Sequence, residues 1–170
     1  MIMTTPVPLE PDARSVEHLA LTLRRLDEAH RRYRVHAAKI IDVGVTELTA
    51  LVAVGDDPGI TPSALARELA LSSGAITAVI DRLERGGHIY RADNPADRRS
   101  VHLLLTNEGK SALRALATAY RYLLSTTGTD ATITDALPQL DNITYALNTA
   151  AREQDTTPIT ELLGPPTHAA

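Results

Sequence analysis

From Ser15 to Ile41 one stripe of positions recurs three or four residues apart: Val16, Leu19, Leu23, Leu26, His30, Tyr33, Ala37 and Ile40. The spacing predicts a long amphipathic helix, with Arg24, Arg25, Arg31 and Arg32 on its outer faces. Such a helix carries more apolar stripe than a small domain uses, so part of it is expected to pack on another chain. His30 then reads as a partly buried interface histidine. After Gly44, Thr46 is the expected N-cap of a short helix ending near Gly55, with Leu48, Leu51 and Val52 inward. The Asp56 to Gly59 segment (DDPG) predicts a turn. Thr61-Pro62 starts another helix, a cap residue followed by proline at the first helical position, with Leu65, Ala66 and Leu69 facing the core and an end near Leu71.

The next helix, Ser72 to Arg85, has apolar residues at Ile76, Val79, Ile80 and Leu83, a single buried stripe. Its other face holds Ser73, Gly74, Thr77, Ala78, Asp81 and Arg82. Solvent-facing helices usually carry long charged side chains. A helix that must enter a groove needs short ones near its N-terminus, so that its backbone can approach base edges. Gly86-Gly87 is expected to end the helix by supplying positive φ. Two strands follow, His88 to Ala92 and Ser100 to Leu105, joined by a charged connection, Asp93 to Arg99, too long for a tight turn. Thr106 caps a helix to about Thr127 with Leu113, Leu116, Tyr120 and Leu123 or Leu124 inward. The last helix runs from about Thr132 to Glu153, where Pro138 either kinks it or lies in its first turn.

These elements predict a mainly α fold, a winged helix-turn-helix with a helical dimerisation region formed by N- and C-terminal helices. Residues 1–14, with three prolines, are expected to be a flexible arm. Residues 15–153 form a single domain, with the winged helix-turn-helix at 46–105 and dimerisation helices at 15–41 and 107–153. Residues 154–170 are a tail. The dimerisation contacts are expected at Leu19, Leu23, Leu26, Leu140, Ile143 and Leu147.

Composition narrows the chemistry. The chain has no Phe and no Trp, so aliphatic side chains must build the core, and no Cys, which excludes disulfides, thiolate metal sites and thiol redox sensing. No apolar run approaches the ~20 residues of a membrane span and the N-terminus lacks a signal-peptide pattern, so a cytoplasmic location is expected. The net charge of −4 argues against polyanion binding by the whole surface. Residues 72–110 nevertheless hold six basic against five acidic side chains, a net of +1, leaving −5 elsewhere. Two of those arginines, Arg98 and Arg99, sit together at the loop tip. In physical terms the second helix of the pair suits a major groove and the arginines a neighbouring minor groove, where narrow A·T-rich DNA concentrates negative potential. Asp97 is expected to hold the Arg99 guanidinium aimed outward.

The segment Asp97-Arg98-Arg99-Ser100-Val101, leading into Leu105-Thr106-Asn107-Glu108-Gly109, resembles the D-x-R-(S/T)-V...L-T-x-x-G signature of the MarR (multiple antibiotic resistance regulator) family of bacterial transcription regulators. Leu83-Glu84-Arg85-Gly86-Gly87, with Arg91 after it, is similar as well, and the likeness runs from about Ser15 to Glu153. The resemblance implies a sequence-specific regulator of double-stranded DNA, a homodimer on a pseudo-palindromic operator, released by a small aromatic or phenolic effector. It implies Arg99 as the minor-groove residue, Asp97 as its partner and Ser72 to Arg82 as the major-groove segment. The candidate DNA-binding residues are thus Ser72, Ser73, Gly74, Thr77, Ala78, Arg82, Arg91, Asp97, Arg98 and Arg99. His30, Tyr33, Arg34 and His36 fit the edge of an effector cleft, although helix packing explains them equally well, and the effector-binding residues stay unknown.

The chain has no nucleophile elbow, Walker loop, H-E-x-x-H or dinucleotide fingerprint, so no enzyme activity and no cofactor is expected. His88 and His102 could approach each other on the paired strands, but two ligands without thiolates or a third carboxylate are a weak basis for a metal, and none is expected. A winged helix serving only protein interactions would have little reason to place arginines at the wing tip.

Overall fold

In a computed structural model that describes residues 12–153 except 96 and 98, the chain forms six helices and one hairpin. Helix α1 spans Ala13–Ile40, α2 Val45–Asp56, α3 Pro62–Glu68 and α4 Ser73–Arg85; strands β1 (Ile89–Asp93) and β2 (Val101–Leu105) precede α5 (Asn107–Leu124) and α6 (Asp130–Glu153). The described residues divide into two compact units between Thr118 and Ala119.

In the first unit α2 is the centre of the core. Leu48, Ala50, Leu51, Ala53 and Val54 are all buried, so α2 is covered on more than one side. Leu51 and Val54 pack with Ile60, Leu65 of α3, the α4 stripe Ile76, Val79, Ile80 and Leu83, and Ile89 and Leu103 of the hairpin. Burying each such aliphatic side chain contributes roughly 1.5–3 kcal/mol. The α4 stripe and Leu65 are where the spacing predicts them.

Several boundaries differ from the sequence expectation for local reasons. The N-cap of α2 is Gly44, and Thr46 lies within the helix. Glu47 explains the shift, since its carboxylate reaches back to accept the Gly44 N–H at 2.7 Å. Helix α1 ends with Asp42 in the left-handed region (φ 56) and the Val43 N–H donating to the Ala38 carbonyl at 3.0 Å. At the end of α4 only Gly87 has positive φ (74); Gly86 stays right-handed.

The hairpin is antiparallel, Ile89 opposite Leu105 and Asp93 opposite Val101. Gly59 and Ile60 hydrogen-bond to the Leu103 backbone at 3.0 and 3.1 Å, extending the pairing on the far edge of β2. Thr106 joins the hairpin to α5. Its hydroxyl donates to the carbonyls of Gly87 and His88 and accepts the Gly109 N–H at 3.0 Å.

Helix α1 buries only Ala37 and Ala38 within one chain. In the second unit α5 stops at Leu124 rather than Thr127, and Leu123 and Leu124 are 42% and 55% exposed rather than inward. The Thr129 hydroxyl accepts the Thr132 N–H, so α6 starts two residues before the predicted Thr132, and Pro138 lies inside it, beyond the first turn. No single helix among the described residues is long and apolar enough to cross a membrane.

Candidate nucleic-acid interface

The turn between α3 and α4 is Leu69 to Ser72, with Ala70 at φ 52 and the Leu71 N–H on the Ala66 carbonyl at 2.8 Å. It turns the chain by 111° between the two helices, within the range of helix-turn-helix pairs. Both helices open on hydroxyl caps: Thr61 accepts the Ala64 N–H and Ser72 the Ala75 N–H, each at 3.3 Å. With its stripe buried, α4 leaves Ser72, Ser73, Gly74, Thr77 and Ala78 exposed. The Thr77 hydroxyl is turned back onto the Ser73 carbonyl at 2.8 Å. A Cβ added at Gly74 would meet nothing within 4 Å. The first two turns of α4 therefore present little more than backbone, methyl groups and hydroxyls to an approaching groove.

The second half of α4 is held on both flanks by ion pairs. On one side the Arg82 Nε donates to Glu47 of α2. Burial works to raise the Glu47 pKa, but the Gly44 N–H, Arg82 and Arg85 outweigh it and hold the carboxylate below its ordinary value of 4.5. On the other side Arg91 of β1 forks onto two carboxylates of α4, Nη1 to Glu84 and Nη2 to Asp81 at 2.5 Å. Arg82 and Arg91, with side chains 47% and 31% exposed, are thus each paired with carboxylates of their own chain. Arg85 is exposed on the same face of α4, following Gly74, Ala78 and Asp81 at i+11, i+7 and i+4.

At the wing, Asn94 is buried (8% exposed) at the base of the loop and accepts the Asp97 N–H. The Asp97 carboxylate accepts the Arg99 backbone N–H at 2.9 Å, and the Asp97 carbonyl accepts the Ser100 N–H at 3.0 Å. Asp97 thus fixes the backbone of Arg99, where the sequence suggests a grip on its guanidinium. Arg99 is exposed, and Arg98 lies outside the described residues.

A MarR family model matches residues 41–100, the stretch from the end of α1 through the wing. An HTH-type transcriptional regulator of Mycobacterium tuberculosis is 30% identical over 107 residues, 63% of this chain and 72% of that one. The chain belongs to the MarR family. The HTH-type transcriptional regulator PecS of Dickeya dadantii is 34% identical over 86 residues, 51% of this chain and 49% of its own. Against the Bacillus subtilis regulator YcgE, as against PecS, the chain spans about half the relative's length. The fold is shared with Streptococcus pneumoniae FabT, solved in complex with DNA, at a TM-score of 0.62 and 23% identity over 81% of this chain and 99% of that one.

In this MarR-family chain the six apolar positions expected at a dimer contact are poorly covered by their own chain. Leu19, Leu26, Leu140 and Leu147 are 39%, 54%, 43% and 63% exposed, while Leu23 and Ile143 are half-buried. On α1, Tyr33 and Arg34 are half-buried and His30 and His36 exposed; the buried Nε of Arg34 has no hydrogen-bond partner among the described residues. His88, which precedes β1 rather than opening it, does not face His102 of β2. The register sets Ala92 opposite His102, and His88 lies four residues from Ala92, about 13 Å along an extended strand.

Proposed function

We propose that the chain is a sequence-specific regulator that binds double-stranded DNA, with α4 in the major groove and the 93–99 wing in the minor groove. The exposed face of α4 carries the proposal: Ser72, Ser73, Gly74, Thr77 and Ala78 leave the helix backbone free to approach base edges, while the opposite stripe is buried. The DNA complex of FabT, which shares the fold, supports it. Arg99 supplies the minor-groove cation on a backbone that Asp97 fixes, Arg98 stands beside it in the sequence, and Arg82 and Arg91 serve by holding α4.

The functional unit we propose is a homodimer built on α1, α5 and α6. Support comes from the large apolar side chains these helices expose, which is more than an isolated chain would leave in water. Two-fold symmetry then calls for a pseudo-palindromic operator with half-site centres about one helical turn, ~10 bp, apart. We also propose that the dimer represses, and that a small aromatic or phenolic effector releases it by preferring one spacing of the two DNA-binding lobes.

The test is selection of bound duplexes from a random library, followed by titration across salt. The parent should select a half-turn-symmetric sequence, and light scattering should give twice 18.3 kDa. Arg99→Ala removes one minor-groove cation per subunit, so it should weaken binding and lower the salt slope by about 1–2 units, leaving major-groove base preferences largely intact. If Arg99→Ala binds like the parent at every salt concentration, the wing is not a DNA contact. If the parent selects no duplex, the DNA-binding function is wrong.

A further inference from the structure

Arg91 lies in β1, six residues after the end of α4, and its position on the hairpin shows where its charge goes. Along β1, Ile89 is buried and Tyr90 is 45% exposed. Side chains alternate faces along a strand, so Arg91 shares the inner face with Ile89. From there it meets Asp81 and Glu84, which are i, i+3 neighbours on one flank of α4. One planar guanidinium serves both carboxylates, with a separate nitrogen for each, a geometry that lysine cannot reproduce.

The two carboxylates are 47% and 38% exposed, and Asp81 shares the exposed face with Gly74, Ala78 and Arg85. Left bare, they would bring two negative charges per subunit towards the phosphates on either side of a groove. Given the DNA-binding function proposed above, we infer that Arg91 is a positioning residue: it masks Asp81 and Glu84 from the DNA backbone and fixes the wing strand to the flank of α4, without contacting DNA itself. Arg91 then sets affinity through the acids it covers. It also couples the two reading elements, because the residue that carries the wing is bonded to the helix that reads the major groove.

The experiment titrates the full chain by fluorescence anisotropy against a fluorescein-labelled duplex selected by the parent, across a range of KCl, at a temperature where circular dichroism shows every variant folded. Arg91→Gln should bind at least ~10-fold more weakly. The triple variant Arg91→Gln, Asp81→Asn, Glu84→Gln removes the cation and both acids together, and should return to within ~3-fold of the parent with the parent's salt slope. Arg91→Lys keeps the charge and loses the fork, so it should fall between parent and Arg91→Gln; it also stands in if Arg91→Gln does not fold. A triple variant as weak as Arg91→Gln shows that masking the acids is not what Arg91 does and overturns the inference, and a salt slope lower by about 2 units for a dimer makes Arg91 a direct phosphate contact and overturns it as well. Parent-like binding by Arg91→Gln does the same. In each case the parent still binds its duplex, so the DNA-binding function survives; a parent that binds no duplex removes both.

Discussion

Two glycines, both in the first turn of a helix, should respond to alanine in opposite directions. Gly109 is buried in α5, and a Cβ there would overlap the His88 carbonyl oxygen and stand 3.1 Å from its carbon. Relief takes on the order of 1 Å of backbone movement at ordinary contact distances. That carbonyl already accepts the Thr106 N–H at 3.0 Å and the Thr106 hydroxyl at 3.1 Å. Displacing it would weaken two hydrogen bonds of about 1 kcal/mol each, on top of about 1–3 kcal/mol for overpacking. Alanine returns at most about 1 kcal/mol through helix propensity. Gly109→Ala should therefore destabilise by about 2–3 kcal/mol net, lowering Tm by roughly 5–10 °C for a protein of this size. Gly74 has open space around it, so Gly74→Ala should be neutral or stabilising by about 0.5 kcal/mol. Thermal and urea unfolding, followed by circular dichroism at matched concentration, measure both. A Gly109→Ala protein as stable as the parent would refute the close packing of α5 against the start of the wing.

Ala78→Leu places a long side chain on the exposed face of α4 and should reduce affinity for the selected duplex, or change its preferred bases, with the salt slope unchanged; competition titrations with scrambled duplex check this. Arg85→Ala should lower the salt slope by about 1–2 units, whereas Arg82→Ala should chiefly lower stability, because Glu47 then loses its partner. Glu47 has a folded-state pKa below 4.5, so the stability it contributes is fully present above that value and is lost as pH falls through the folded pKa. The stability difference between the parent and Glu47→Gln should accordingly be constant near ~pH 6 and shrink towards ~pH 3, as equilibrium unfolding at each pH would show.

The parts of the fold that were legible in the sequence are those written in local periodicity. The stripe Ile76, Val79, Ile80 and Leu83 identifies the buried side of α4, and Thr61-Pro62 marks the start of α3, because both signals lie within a few residues. Thr46 is the better cap by side chain, while the cue to Gly44 is Glu47 three residues later. The site was legible in outline only. Whether Arg82 is paired within the chain depends on Glu47, 35 residues away, and whether Arg91 is depends on which side of β1 it occupies. No local pattern carries the first fact. The second was recoverable from alternation with Ile89. The separation of His88 from His102 follows from register, which the long 93–99 loop does not fix.

The Thr106 hydroxyl bonds the end of α4, the start of β1 and the first turn of α5 to one another. It sits at the opposite end of α4 from Ser72. Thirteen residues make a rod of about 20 Å, and the welded end is its pivot. A tilt of only about 5° imposed on α5 would sweep the Ser72 end through about 2 Å, more than the tolerance of a hydrogen bond to a base edge. Torque on one short joint would thus be read out at the far tip with mechanical gain.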